Sequence, residues 1–97
     1  MIIASAREIK DNERIFVGMR LPITAYGVAR LTHAPNAVGL FESGIARYEP
    51  ADGMLYTMCD APNQLGAAWT CGLIQIMGML SGGRVHAGFI GGAEIDK

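Results

Sequence analysis

Charge is scarce in this sequence, and no run of either sign occurs. Charged residues make up 18% of the chain, the formal net charge is −1, and the eight lysines and arginines are scattered. Such a surface offers nothing to DNA, RNA or an anionic membrane, so none of these is an expected partner. No CxxC is present. The two cysteines, Cys59 and Cys71, and the two histidines, His33 and His86, do not stand at zinc-site spacing. No metal is expected, and the thiols read as reduced, partly buried side chains of a cytoplasmic protein. GxGxxG and P-loop signatures are missing, which removes dinucleotide and nucleoside triphosphate cradles. The N-terminal residues hold no apolar stretch of signal-peptide length. Repeats and low-complexity tracts are also absent, and a hydrophobic content of 51% excludes a disordered chain.

One stretch, residues 61–83, carries no charge and is long enough to span a bilayer. It is broken by Pro62, Asn63, Gln64, Gln75 and several glycines, and its strongly apolar part covers only residues 73–80. A buried helix fits this pattern better than a membrane span.

What is present is an alternation of short patterns. Residues 4–11 read as a helix ended by Asp11-Asn12. Residues 14–18, centred on Ile15-Phe16-Val17, read as a strand. Pro22 is suited to the first turn of a helix over residues 22–32, which Ala34-Pro35-Asn36 stops. Residues 37–41 form an apolar run typical of a strand buried on both faces. Residues 45–63 read as irregular, residues 64–80 as mainly helical, and residues 85–90 as a last strand entering Gly91-Gly92. Strands alternating with helices predict an α/β fold: a small, open, mainly parallel sheet with helical crossovers. With 97 residues and three predicted strands, the chain reads as one partial domain, 1–97, that completes its core against something else.

Ligand sites in open parallel sheets lie beyond the carboxyl ends of the strands. Three such ends are predicted on one edge: Gly18 to Pro22, Glu42-Ser43-Gly44, and Gly91-Gly92. A carboxylate placed directly after a buried strand and followed by Ser-Gly sits on a tight turn, in the manner of a nucleophile elbow. Pattern alone leaves Glu42 open between a solvated strand-end acid and a general base, metal ligand or covalent nucleophile. Gly91 and Gly92 can expose backbone amides to a developing oxyanion, or simply form a turn. His86 inside a strand and His33 near a helix end read as structural, and Asp60 and Asp96 as solvated loop acids. Ser43 lacks a His-Asp pattern to activate it. Met54, Met58, Met77 and Met79 read as gap-fillers in the core.

In this order the edge motifs resemble family I coenzyme A transferases, especially the glutaconate type. The matching stretches are Arg14-Ile15-Phe16-Val17-Gly18 with Leu21-Pro22, then Thr32-His33-Ala34-Pro35-Asn36, then Glu42-Ser43-Gly44, and finally residues 89–96. The resemblance implies the N-terminal portion of a beta-type subunit with a CoA-transferase-like fold. It implies Glu42 as nucleophile, with a glutamyl-CoA thioester as covalent intermediate. Gly91 or Gly92 would serve as oxyanion donor. Gly18 and Arg20 would lie against substrate, an acyl-CoA or a carboxylic acid. No cofactor beyond the coenzyme A thioester substrate is implied, and an alpha-type subunit is implied as partner in a hetero-oligomer.

Two departures stand out. The family often carries a further glycine where this chain has Arg20, and residues 45–63 match poorly. Two other readings belong beside the transferase. One is a non-catalytic subunit serving as an assembly surface. The other is a CoA-thioester hydrolase of the same fold, whose resembling relatives do not keep the glutamate.

Overall fold

The structure, a computed structural model, describes residues 1–96. Its elements are α1 (Ile2–Glu8), β1 (Arg14–Val17), α2 (Leu21–Leu31), β2 (Val38–Phe41), β3 (Ile45–Arg47), α3 (Ala61–Gln64), β4 (Trp69–Thr70), α4 (Leu73–Ser81) and β5 (Ala87–Phe89). They form one five-stranded sheet in the order β4-β3-β2-β1-β5.

The three expected strands are present and parallel. Val17 stands level with Phe41 on one side and with Phe89 on the other. The chain runs from β1 outward to β2 and later returns to the opposite side of β1, so the order reverses at the β1/β5 boundary. This mixed α/β sheet with helical connections is the expected fold class. The antiparallel arm of β3 and β4 is additional. Residues 45–63 are therefore not wholly irregular, because β2 turns back at Glu42-Ser43-Gly44 to pair with β3. Likewise, residues 65–72 are not helical: after the short α3 the chain passes through β4 before α4 begins at Leu73. Gly66, at φ +76°, and Gly72, the N-cap of α4, interrupt what periodicity alone reads as one helix. At the other end, the first helix begins at Ile2 and stops at Glu8, ahead of the expected span.

Alternation along the strands explains the two cores. Ile15, Val17, Phe41 and Ile45 face α1 and α2, joining Ala6, Ile9, Tyr26 and Ala29. Phe16, Leu40 and Ala46 face the other way, onto Ile76 of α4. Tyr26 clamps the first layer. Its ring meets Phe41 edge-on at 5.8 Å, and its hydroxyl donates to the carbonyls of Ala37 and Arg47, each at 3.3 Å.

The second layer is thinner. Of α4's residues only Ile76 is fully buried, while Leu73 and Ile74 are 52% and 84% exposed, and β5 pairs only with β1. Among the described residues no helix is long and apolar enough to cross a membrane.

Candidate functional site

The position of Glu42 follows from a three-residue hairpin loop. Phe41 pairs with Ile45, the Gly44 amide returns to the Phe41 carbonyl at 2.9 Å, and Gly44 takes φ +96°. This is a turn closed by a left-handed residue. It presents a side chain sharply, as expected, but it joins strand to strand where an elbow joins strand to helix. Neighbouring segments hold it on two sides. The Cys71 amide donates to the Gly44 carbonyl at 2.7 Å, and the Ser43 amide is directed at the Met58 sulfur at 3.2 Å. The Glu42 side chain is half-buried and has no hydrogen-bond partner among the described residues. Its backbone amide reaches the Val17 carbonyl at 3.4 Å, tying the turn to the end of β1.

Gly18 stands beside that point. Its amide donates to the Phe89 carbonyl at 2.9 Å, and a Cβ there would lie 2.7 Å from the same oxygen. Only a bare backbone lets the β1 and β5 loops approach so closely. Gly91 continues this contact, since a Cβ on it would come 3.3 Å from the Met19 carbonyl oxygen. The amides of Gly91 and Gly92 have no hydrogen-bond partner among the described residues. A Cβ on Gly92 would face Ile95 of its own loop at 3.4 Å, so Gly91 is the glycine in contact with the β1 loop. The ends of β1, β2 and β5 thus share one sheet edge, at the point where strand order reverses.

Arg20 lies on this edge as the N-cap of α2, with φ +67° and ψ −113°. This backbone conformation is natural to glycine and costs a side-chain-bearing residue about 1–3 kcal/mol. The backbone here takes a form open to glycine, at a position where the resemblance leads one to expect a glycine.

Other residues are local in role. His86 Nδ1 accepts the Arg14 amide at 2.9 Å, and the His86 amide donates to the Arg14 carbonyl at the same distance, a strand-pairing role. His33 Nε2 contacts the Ile9 carbonyl at 3.0 Å. The Asp60 carboxylate accepts from the amides of Tyr56 and Thr57 and from the Thr57 hydroxyl, and these bonds hold its pKa below the usual carboxylate value. Met58 is core, but Met54 is 97% exposed and fills nothing. Cys59 is exposed and Cys71 half-buried, so only the latter is a partly buried thiol.

Sequence reasoning missed Arg47. This buried guanidinium donates to the carbonyls of Glu49, Pro50, Pro62, Asn63 and Leu65, and so ties together the segment that looked irregular. Arginine in a short strand carries no periodic signal of such a role.

No protein-family model matches the chain. Over 104 aligned positions covering all of the chain, it is 34% identical to a subunit of the 3-oxoadipate CoA-transferase of Pseudomonas knackmussii. The solved structure of the decarboxylase AibA/AibB superimposes on 98% of the chain with a TM-score of 0.83 and 30% identity.

The chain is thus similar in sequence to part of a CoA-transferase subunit and shares the fold of these relatives.

Glutaconate coenzyme A-transferase from Acidaminococcus fermentans shares the fold, with a TM-score of 0.78 over 98% of the chain at 22% identity. The chain spans 37% of the length of the Pseudomonas protein, and 40% and 38% of the two structural relatives.

Proposed function

We propose that this chain is a portion of a beta-type CoA-transferase subunit and that Glu42 is its nucleophile. The observation that carries the reading is the placement of Glu42. Its carboxylate stands without a hydrogen-bond partner among the described residues, on a turn braced by Gly44 and Cys71, at the edge where the β1 and β5 loops meet.

The chemistry runs by paired exchanges. The Glu42 carboxylate attacks the thioester carbonyl of an acyl-CoA, forming an acyl-glutamyl anhydride and expelling the CoA thiolate. The thiolate then attacks the glutamyl carbonyl of the anhydride, giving a Glu42-CoA thioester and releasing the carboxylate of the first acid. An acceptor carboxylate attacks this thioester, and the thiolate returns to the new anhydride at its acyl carbonyl. A new acyl-CoA leaves and the Glu42 carboxylate is restored. Gly91 would offer its amide to the tetrahedral oxyanions, a contribution of about 3–4 kcal/mol where one such donor is removed in other enzymes. Binding of the remote part of CoA offsets the weak nucleophilicity of a carboxylate. The names of the 3-oxoadipate and glutaconate enzymes both denote dicarboxylic acids, which favours a dicarboxylic acyl group here. An alpha-type subunit and a cytoplasmic setting belong to the same proposal.

Fold alone does not choose this reaction, since a decarboxylase at 30% identity shares it. A second reading, an assembly surface without catalysis, is favoured by the exposed apolar face of α4 and the free edge of β5. Mixing the chain with an alpha-type subunit and a panel of acyl-CoAs, then mapping adducts by mass spectrometry, separates the three. A CoA adduct on Glu42 with exchange of label between acids is expected. A folded complex showing neither would sink the transferase reading, and carbon dioxide release without an adduct would favour decarboxylation.

A further inference from the structure

Two adjoining cavities lie between α2 and the segment of residues 50–57. One, of about 380 Å³, is lined by Arg20, Thr24, Leu55, Tyr56 and Thr57 among others. The other, of about 330 Å³, is lined mainly by apolar side chains, including Ile23, Val28, Leu31 and Phe41. Thr24 and Leu55 border both, so they form one cleft with a cationic end and an apolar end. No carboxylate among the described residues lines either part. The Arg20 guanidinium has no hydrogen-bond or ion-pair partner among the described residues, and the hydroxyls of Thr24 and Tyr56 are likewise unengaged. The Thr57 hydroxyl is spent on Asp60, whose carboxylate is turned to its own loop.

We infer that this cleft is a subsite for the distal carboxylate of a dicarboxylic substrate, with Arg20 pairing the carboxylate and the cavity toward Phe41 receiving the aliphatic chain. Three features lead there. A single guanidinium flanked by hydroxyls matches one planar carboxylate, whereas a phosphate dianion calls for more cationic charge. The apolar cavity continuous with it would stay unfilled by an inorganic anion but takes methylene groups, whose removal from water is favourable. Phe41, which lines the apolar end, immediately precedes Glu42, so the far end of a ligand held at Arg20 lies toward the turn that carries Glu42. That the ligand is a substrate rests on the transferase reading; that it binds here does not.

The test is an NMR titration of the 97-residue chain with glutarate, butyrate and inorganic phosphate, repeated on Arg20→Gln, Thr24→Val and Glu42→Ala. Glutarate is expected to move the amides of residues 20–28 and 55–57. Arg20→Gln should weaken it at least tenfold, with a smaller loss in Thr24→Val. Butyrate, whose one carboxylate can pair with Arg20 and whose chain fits the same cavity, should compete with glutarate and lose affinity alike in Arg20→Gln; butyrate binding that ignores Arg20→Gln would overturn the pairing. Glu42→Ala should bind glutarate like the unaltered chain, so failure of the transferase chemistry and failure of the subsite are read separately. Phosphate binding as tightly as glutarate would overturn the assignment in favour of a general anion site. Glutarate affinity unchanged by Arg20→Gln would overturn it outright.

Discussion

A Cβ atom on Gly44 would stand 1.9 Å from the carbonyl oxygen of Cys71, so the turn that carries Glu42 closes only around a glycine. The positive φ of +96° adds a second reason. Gly44→Ala must therefore either push β4 away from β3 or unwind the hairpin loop. We expect a loss of about 3 kcal/mol in stability, measured as a fall in the urea midpoint. A variant as stable as the parent would show that the two segments separate easily.

Glu42 itself should be cheap to remove. Its carboxylate has no hydrogen-bond partner among the described residues, so Glu42→Ala should change stability by no more than about 0.5 kcal/mol. On the transferase reading, exchange in a complex with an alpha-type subunit should fall below detection while the complex still assembles. Retained turnover would remove Glu42 from the mechanism.

Arg47 has the opposite profile. It is buried, it faces five backbone carbonyls, and no hydrocarbon side chain can satisfy them. Arg47→Met should cost about 3–5 kcal/mol, with loss of the amide shift pattern of residues 48–65. Hydrogen exchange in that segment would report it directly.

The contrast between these two residues shows what was legible in the sequence. The parallel strands could be read from apolar runs ending at Gly18, Glu42 and Gly91: β1 and β2 are buried over three of their four residues, which imposes composition on them, and the half-exposed β5 still carries a short apolar run. The shared edge then followed from direction alone. The β3–β4 arm could not be read. Ile45–Arg47 is three residues long and Trp69–Thr70 two, too short for any period to register. They are held by contacts distant in sequence, namely Gly44 with Cys71 and Arg47 with the carbonyls of Pro62, Asn63 and Leu65. The motif signal at Glu42-Ser43-Gly44 named the turn, but only the structure reveals that it is a hairpin. Arg20 was conspicuous as a side chain where the resemblance leads one to expect glycine, yet its left-handed backbone was invisible.

The Asp60 carboxylate should be visible in acid. Hydrogen bonds from the Thr57 amide and hydroxyl, with the Tyr56 amide, hold its pKa below the ordinary aspartate value. A folded-state value below the unfolded one means that the stabilisation is fully present above about pH 4. It is lost as pH falls through the depressed value. Asp60→Asn should therefore be less stable than the parent at neutral pH, with the gap closing as the pH falls below about 4. Asp11, held low by the Asn36 side chain and amide, contributes an acid dependence of the same sign that Asp60→Asn leaves in place. Urea midpoints across that range check the prediction; a constant gap would mean that the carboxylate's charge is not what stabilises the loop.

Arg20 separates stability from binding. Holding a side-chain-bearing residue at φ +67°, ψ −113° costs about 1–3 kcal/mol, while glycine there would add up to about 1 kcal/mol of unfolded-chain entropy. The difference favours Arg20→Gly by about 1 kcal/mol, so this variant should melt a few degrees higher than the parent. It also removes the only charged side chain that lines the cleft among the described residues, and glutarate binding should fall at least tenfold. A chain that becomes more stable as it loses its ligand is one in which backbone strain is retained for the sake of the side chain. If Arg20→Gly is destabilised, the guanidinium holds the α2 N-terminus in place, and the strain has a structural explanation instead.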